Sequence, residues 1–329
     1  MALVNNMPDA AFADTERQFI ELVREASEGL RVRLRRYLMP GLERTPQVRA
    51  YASGRYYDLG LLHQHGADAL IVTGTEPLAS RLDHEPYWAV LIELLKWAIE
   101  ATVSAVLSCL AAHAAVLALD GVDRQLLKEK CSGVFGHVVG ANHPLSNGLV
   151  TPVAMPHSRQ NDVPLFPLVE RGYAPVLGSP DIGWGVLAGD SGGCLLVLVQ
   201  GHPEYSTSSL LREHRRDMGR FLRGETTTLP APPVGYLDNE SLCLLDSFAS
   251  RARRLRGEPG LATQFPFEEI ERRLVNSWRG PGRLLYSNWL REVDRRVTRG
   301  RGGALGAPAS TGRAGVVPPM MAATRQRRA

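Results

Sequence analysis

Cys109 and the run His202-Pro203-Glu204 are the residues of this 329-residue chain best suited to making and breaking bonds. Cys109 follows the apolar run Val103-Ser104-Ala105-Val106-Leu107-Ser108 and precedes an Ala/Leu-rich stretch from Leu110 to Leu119. The sulfur is therefore predicted at a strand-to-helix turn, near the first N–H groups and the positive end of a helix dipole, a setting that favours thiolate. His202 follows another apolar run, Cys194 to Val199, and supplies an imidazole base; Glu204, two residues on, supplies a carboxylate able to hold its tautomer and orientation. A cysteine at a strand end is by itself more often a small buried hydrophobe. Cysteine, histidine and glutamate converging at one sheet edge, however, form the constellation that thiol acyl transfer demands. Cys131, Cys194 and Cys243 form no CxxC pair and have no metal-ligand spacing, so they read as inert.

Positioning these groups requires a scaffold. Leu3 to Asn6 reads as a short strand, followed by a helix capped by Asp14 with Phe19, Leu22, Val23 and Ala26 on one face. Residues 31–38 alternate in polarity, as a strand covered on one side would. Ala69 to Gly74 and Val103 to Cys109 are buried strands, separated by a helix at about residues 86–100, and an amphipathic helix carries Leu210, Leu211, His214, Met218 and Phe221. Alternating strands and helices imply an α/β fold with a doubly wound, mostly parallel sheet, whose ligands bind at the carboxyl ends of the strands. The chain divides into a sheet domain at 1–223, a Pro/Thr-rich linker at 224–236, a mainly helical C-terminal segment at 237–297 packing on the sheet domain, and a disordered basic tail at 298–329.

Charge and composition narrow the functional classes. Eight arginines and no acid follow Asp294, so the net charge of +4 for the whole chain becomes −4 for its first 294 residues. The basic balance belongs to the tail, and no aromatic residue interleaves with its arginines, which argues against a dedicated nucleic-acid role. No apolar run approaches the ~20 residues that a spanning helix needs. Four cysteines and no leader-like N-terminus fit a reducing cytoplasm.

Several short motifs together resemble the homoserine O-acyltransferases, themselves similar to class I glutamine amidotransferases. These are Val72-Thr73-Gly74, the strand-end Cys109, Gly133-Val134-Phe135-Gly136-His137, Pro156-His157-Ser158-Arg159, Gly201-His202-Pro203-Glu204-Tyr205 and Arg215-Arg216-Asp217. Asn276-Ser277-Trp278-Arg279 and Leu284-Leu285-Tyr286-Ser287-Asn288-Trp289-Leu290 extend the likeness to about residue 292. The resemblance implies that Cys109 takes the acyl group from an acyl-CoA, succinyl-CoA or acetyl-CoA. His202, oriented by Glu204, would then deprotonate the homoserine hydroxyl. It further implies that Arg216 clamps the amino acid's carboxylate, that Lys130 and Ser158 line the substrate site, that no cofactor is permanently bound, and that the assembly is a homodimer. His113 reads as structural, His137 and His143 as loop or packing residues, and His157 as a hydrogen-bonded loop residue without assigned chemistry.

The chain departs from the family at three places. Ser108-Cys109-Leu110-Ala111-Ala112-His113 lacks the glycines that flank an amidotransferase nucleophile, and Asp9-Ala10 replaces paired lysines after Met7-Pro8. The loop after Gly74 reads Thr75-Glu76-Pro77-Leu78; Leu78 falls on the column that separates glutamate in acetyl-type enzymes from glycine in succinyl-type ones, with Glu76 close by. Succinyl transfer to homoserine is the leading expectation. The alternatives are a paralogue acylating another amino alcohol such as serine, a glutaminase, and a catalytically degenerate protein that binds an amino acid or CoA.

Overall fold

The computed structural model describes residues 1–303 except Ala141 and Pro259, with the backbone alone for 301–303. Its strands are β1 (Ala2–Asn5), β2 (Arg35–Leu38), β3 (Tyr57–Asp58), β4 (Ala69–Val72), β5 (Ser104–Ser108), β6 (Gln125–Val139), β7 (Val153–Asp162), β8 (Ala174–Ser179), β9 (Gly183–Ser191) and β10 (Cys194–Val199). Its helices are α1 (Asp9–Ala26), α2 (Pro46–Ala52), α3 (Leu62–His65), α4 (Trp88–Ala101), α5 (Leu110–Asp120), α6 (Leu165–Glu170), α7 (Ser209–Leu222), α8 (Asn239–Arg254), α9 (Phe267–Glu271) and α10 (Arg279–Gly303). One sheet runs β3-β2-β1-β4-β5-β10-β9-β8-β6-β7. From β3 to β10 every neighbouring pair is parallel; from β10 to β7 every pair is antiparallel.

The parallel half follows from its residues. Its central strands are buried along their whole length and mostly apolar, and alternate side chains go to opposite faces. Val4, Leu70, Val72, Ala105, Leu107, Leu196 and Leu198 share one core with Leu91, Leu94, Leu95 and Ala98 of α4 and Ala111 to Val116 of α5. Leu3, Ile71, Val106, Leu195, Val197 and Val199 share the other with Phe19, Leu22 and Val23 of α1 and Tyr286, Trp289 and Leu290 of α10. Helices thus cover both faces, and the C-terminal α10 is part of the second core. Trp289 also donates to Ser104 Oγ at 2.9 Å, and that hydroxyl donates to the Leu195 carbonyl at 2.7 Å, which ties α10 to β5 and β10.

Four details differ from the expectations. The first helix begins at Asp9, behind Pro8 in extended conformation, so Asp14 lies inside it. Asp9 sits in its first turn and accepts from the Thr45 N–H at 2.6 Å and from Arg44 at 3.1 Å, an anchor that a cap at Asp14 lacks. The strand expected at 31–38 starts only at Arg35, because β1 itself starts at Ala2 and the register pairs Ala2 with Arg35. The antiparallel half, long β6 and β7 above all, came from segments whose mixed polarity gives no clean period. The basic tail expected from 298 contributes residues through Gly303 to α10, and residues 304–329 lie outside the described residues. Among the described residues no helix is long and apolar enough to cross a membrane.

Candidate active site

Cys109 stands between β5 and α5 with φ 49° and ψ −111°, and it is the only residue other than glycine with positive φ among those described. An L-residue held there is strained by roughly 1–3 kcal/mol, so the surrounding structure must impose it. The Cys109 N–H donates to the Val199 carbonyl at 2.6 Å, pinning the turn to the end of β10. Leu110 and Ala111, the first residues of α5, present N–H groups with no carbonyl one turn earlier in the helix. The sharp elbow therefore forms with alanines after the cysteine.

The space that flanking glycines would provide comes from the loop after the neighbouring strand β4. A Cβ on Gly74 would sit 3.2 Å from Cys109 Cβ, 3.2 Å from the Ser108 carbonyl oxygen and 3.4 Å from the Leu110 nitrogen. The loop after β4 is fixed by Thr73, whose hydroxyl accepts from the Asn6 N–H at 2.8 Å and donates to the Gly74 carbonyl at 3.0 Å. Gly74→Val is accordingly expected to displace the elbow and change the rate at which iodoacetamide alkylates Cys109 by about 10-fold or more. Alkylation kinetics followed by mass spectrometry, read beside a melting curve, test this; an unchanged rate would show that the elbow does not need Gly74.

His202 and Glu204 reach the same edge from the end of β10. The His202 N–H donates to the Pro156 carbonyl at 2.8 Å, and its Nδ1 lies 2.8 Å from Glu204 Oε1, with both side chains buried. Burial alone would lower the pKa of this imidazole. The negative charge of Glu204 and the charge and hydrogen bonding of Cys109 outweigh burial and raise it well above its ordinary value. Cys109, half-buried, and the buried Glu204 carboxylate thus both act on one ring, which favours its protonated form beside them. Gly201 permits this approach: a Cβ there would lie 2.4 Å from Met155 Sδ and 2.9 Å from His157 Nε2.

Beyond the ring lies a polar cluster that gathers the other expected site residues. Tyr205 stacks on His202 with centroids 4.2 Å apart and donates to Glu213 Oε1 at 2.5 Å. Ser158, on β7, donates to the other oxygen of Glu213. Lys130, on β6, lies 3.7 Å from Glu213 and donates to Asp217 at 2.6 Å. Arg216 donates from Nε to Asp217 Oδ1 at 3.2 Å and remains partly open to solvent. Lys130 and Arg216 outweigh burial and hold the Asp217 carboxyl below its usual range. Cys109, His202 and Glu204 are thus together, and Lys130, Ser158 and Arg216 meet around Glu213 and Asp217 on α7.

Glu213 was not singled out from the sequence, and Tyr205 and Asp217 stood only inside motifs, with no role assigned to them. A usable signal existed: Glu213, Arg216, Asp217 and Arg220 recur at helical spacing on one face of α7, opposite the buried His214, Met218 and Phe221. The remaining histidines are placed differently. His113 is buried, 2.9 Å from Gln200 Oε1, and burial pushes its pKa to about 4, which fits the structural reading. His157 and His137 are buried and stacked with Nε2 atoms 3.1 Å apart, so His157 is a core residue of β7 rather than a loop residue. His143 leads into the short turn at 144–146 and accepts from the Leu145 N–H at 3.2 Å.

Comparison with known proteins adds an independent line. A family model described as homoserine O-succinyltransferase matches residues 1–298. A homoserine O-succinyltransferase of Methylorubrum extorquens is 42% identical over 90% of this chain and 88% of its own length. One of Rhodopseudomonas palustris is 41% identical over 88% and 86%, and one of Bradyrhizobium japonicum is 40% identical over 88% of each. Among solved structures, a glutamine amidotransferase of Thermotoga maritima aligns over 89% of this chain and 97% of its own, with TM-score 0.46 and 13% identity.

Proposed function

The chain belongs to the homoserine O-succinyltransferase family, and from that premise we propose that it transfers a succinyl group from succinyl-CoA to the hydroxyl of L-homoserine through an acyl-Cys109 intermediate. The observation that carries the mechanism is the strained Cys109 elbow facing an imidazole that Glu204 holds at 2.8 Å. Succinyl is preferred to acetyl because relatives at 40–42% identity carry the succinyltransferase name. The product is an activated amino acid of the kind methionine biosynthesis consumes, and the chemistry suits the cytoplasm.

The reaction divides into two displacements. The Cys109 sulfur attacks the thioester carbonyl, whose developing oxyanion is met by the open N–H groups at the start of α5. The tetrahedral adduct collapses, the bond to the CoA sulfur breaks, and the CoA thiolate takes the proton held by His202. A thioester sulfur carries no negative charge, so acylation removes one of the influences that favour the protonated ring. His202 is then a base for the second step: it takes the homoserine hydroxyl proton as that oxygen attacks the acyl carbon, and Cys109 leaves as thiolate. Arg216 would hold the homoserine carboxylate, with Lys130 and Ser158 beside it on the polar cluster.

Release of free CoA, followed with succinyl-CoA, acetyl-CoA and no donor against homoserine, serine and no acceptor, tests this reading. Homoserine with succinyl-CoA should be the pair with the highest kcat/KM. Selective turnover of serine would assign the paralogue function, and no turnover with any pair would overturn the acyltransferase reading in favour of a glutaminase or a binding role.

A further inference from the structure

A succinyl donor differs from an acetyl donor by a terminal carboxylate, and a site that selects it needs a cation within reach of the nucleophile. Two of the nearby cations already have a place in the proposed reaction: Lys130 is held by Asp217 and Glu213, and Arg216, beside Asp217, is the cation assigned to the homoserine carboxylate. A third stands one turn further along α7. Arg220 Nη2 donates to Glu76 Oε1 at 2.7 Å, and its other terminal nitrogen lies 4.0 Å from Asp217. Glu76 is two residues from Gly74, whose backbone packs on the Cys109 elbow, and two residues span at most ~7 Å. The Arg220–Glu76 pair therefore bridges the loop over the nucleophile to the helix that carries Arg216. Both side chains are more than a third exposed, so the pair is weak and exchangeable.

Resting on the succinyl-CoA reading above, we propose that Arg220 is the receptor for the distal carboxylate of the succinyl group, and that Glu76 occupies its guanidinium until the donor exchanges for it. The succinyl carboxylate lies three carbon–carbon bonds beyond the thioester carbon, so a donor extended from Cys109 along the loop after Gly74 directs it toward Glu76. A guanidinium fork matches that group in shape and charge. Without release of Arg220, Glu76 would repel the incoming carboxylate, so the exchange also explains how an acidic residue is tolerated in this loop.

The test compares succinyl-CoA with butyryl-CoA, which has the same four-carbon acyl length and no charge, using homoserine as acceptor. In R220Q the succinyl-to-butyryl ratio of kcat/KM should fall about 10- to 100-fold, the value of a charge-assisted hydrogen bond, chiefly through the KM for succinyl-CoA. In E76Q, which leaves Arg220 unopposed, the same ratio should rise about threefold or more. Ratios equal to wild type in both variants, or a fall in E76Q, would overturn the assignment. A wild type that turns over acetyl-CoA or butyryl-CoA but not succinyl-CoA would instead remove the donor reading, and the inference with it, before either variant is measured.

Discussion

Cys109→Ala is expected to lower acyl transfer by at least about 10³-fold, because the attacking atom is gone and the remaining groups can only bind and polarise. The wild-type chain, incubated with succinyl-CoA and no acceptor, should gain the mass of one succinyl group on the peptide containing Cys109, and the variant should gain none. Full CoA release by the variant, or an adduct mapped elsewhere, would end the covalent mechanism. Alanine at position 109 keeps the positive φ and hence the strain, so its melting temperature should stay near that of wild type. Cys109→Gly is inactive in the same way, but glycine adopts φ 49° freely, so it should be more stable than Cys109→Ala by about 1 kcal/mol. Equal stability of the two would show that the elbow stores no strain.

The second large effect is expected from Glu204→Gln. Glu204 accepts at 2.8 Å from the imidazole that, in the proposed mechanism, alternates between acid and base. Removing its charge while keeping its shape should lower kcat by up to about 10⁴-fold, the loss seen when the orienting carboxylate of a triad becomes an amide. The pH dependence has a definite sign. In the wild type burial pulls the His202 pKa down, and Glu204 with Cys109 more than reverses it, so the protonated ring persists well above pH 6.5. The glutamine variant retains burial and loses the charge of Glu204, so the His202 imidazole, followed through its ring-proton NMR signals, should titrate at lower pH than in the wild type. The same linkage acts on folding. A raised imidazole pKa contributes stability that is complete below the unfolded value near 6.5 and is lost as pH rises through the folded one. Melting curves of wild type should show that loss on the alkaline side, and the variant should show it at lower pH. Identical titration and melting profiles would place Glu204 outside the electrostatics of the ring.

Much of this architecture was legible in one dimension. β10 carries the six apolar residues Cys194 to Val199, and the cores of β4 and β5 likewise lie within apolar runs, because a strand buried on both faces needs no polar alternation. The placement of Cys109 and of His202 with Glu204 at carboxyl ends of such strands follows from the same reading, since the run, the turn and the helix after it are local features. The antiparallel half was less visible. β6 is 15 residues long and mostly exposed or half-buried, and β7 pairs with it across a register shift between Leu126 and Cys131. Neither segment repeats with a period that would mark it as a strand.

The details that complete the site are decided by contacts between distant parts of the chain. An elbow without its flanking glycines looked doubtful until Gly74, 35 residues earlier, proved to leave the room that they would have left. Glu213 joins Ser158, Lys130 and Tyr205, and Glu76 meets Arg220 across 144 positions. Residue type and spacing by themselves determined the apolar parallel strands, the helices beside them and the kinds of reactive group at their ends, because hydrophobic period and turn chemistry act over a few residues. Only the tertiary structure decided which charges face one another and what leaves room for the strained cysteine, because strand order, register and helix packing bring those atoms together from segments that share no local pattern.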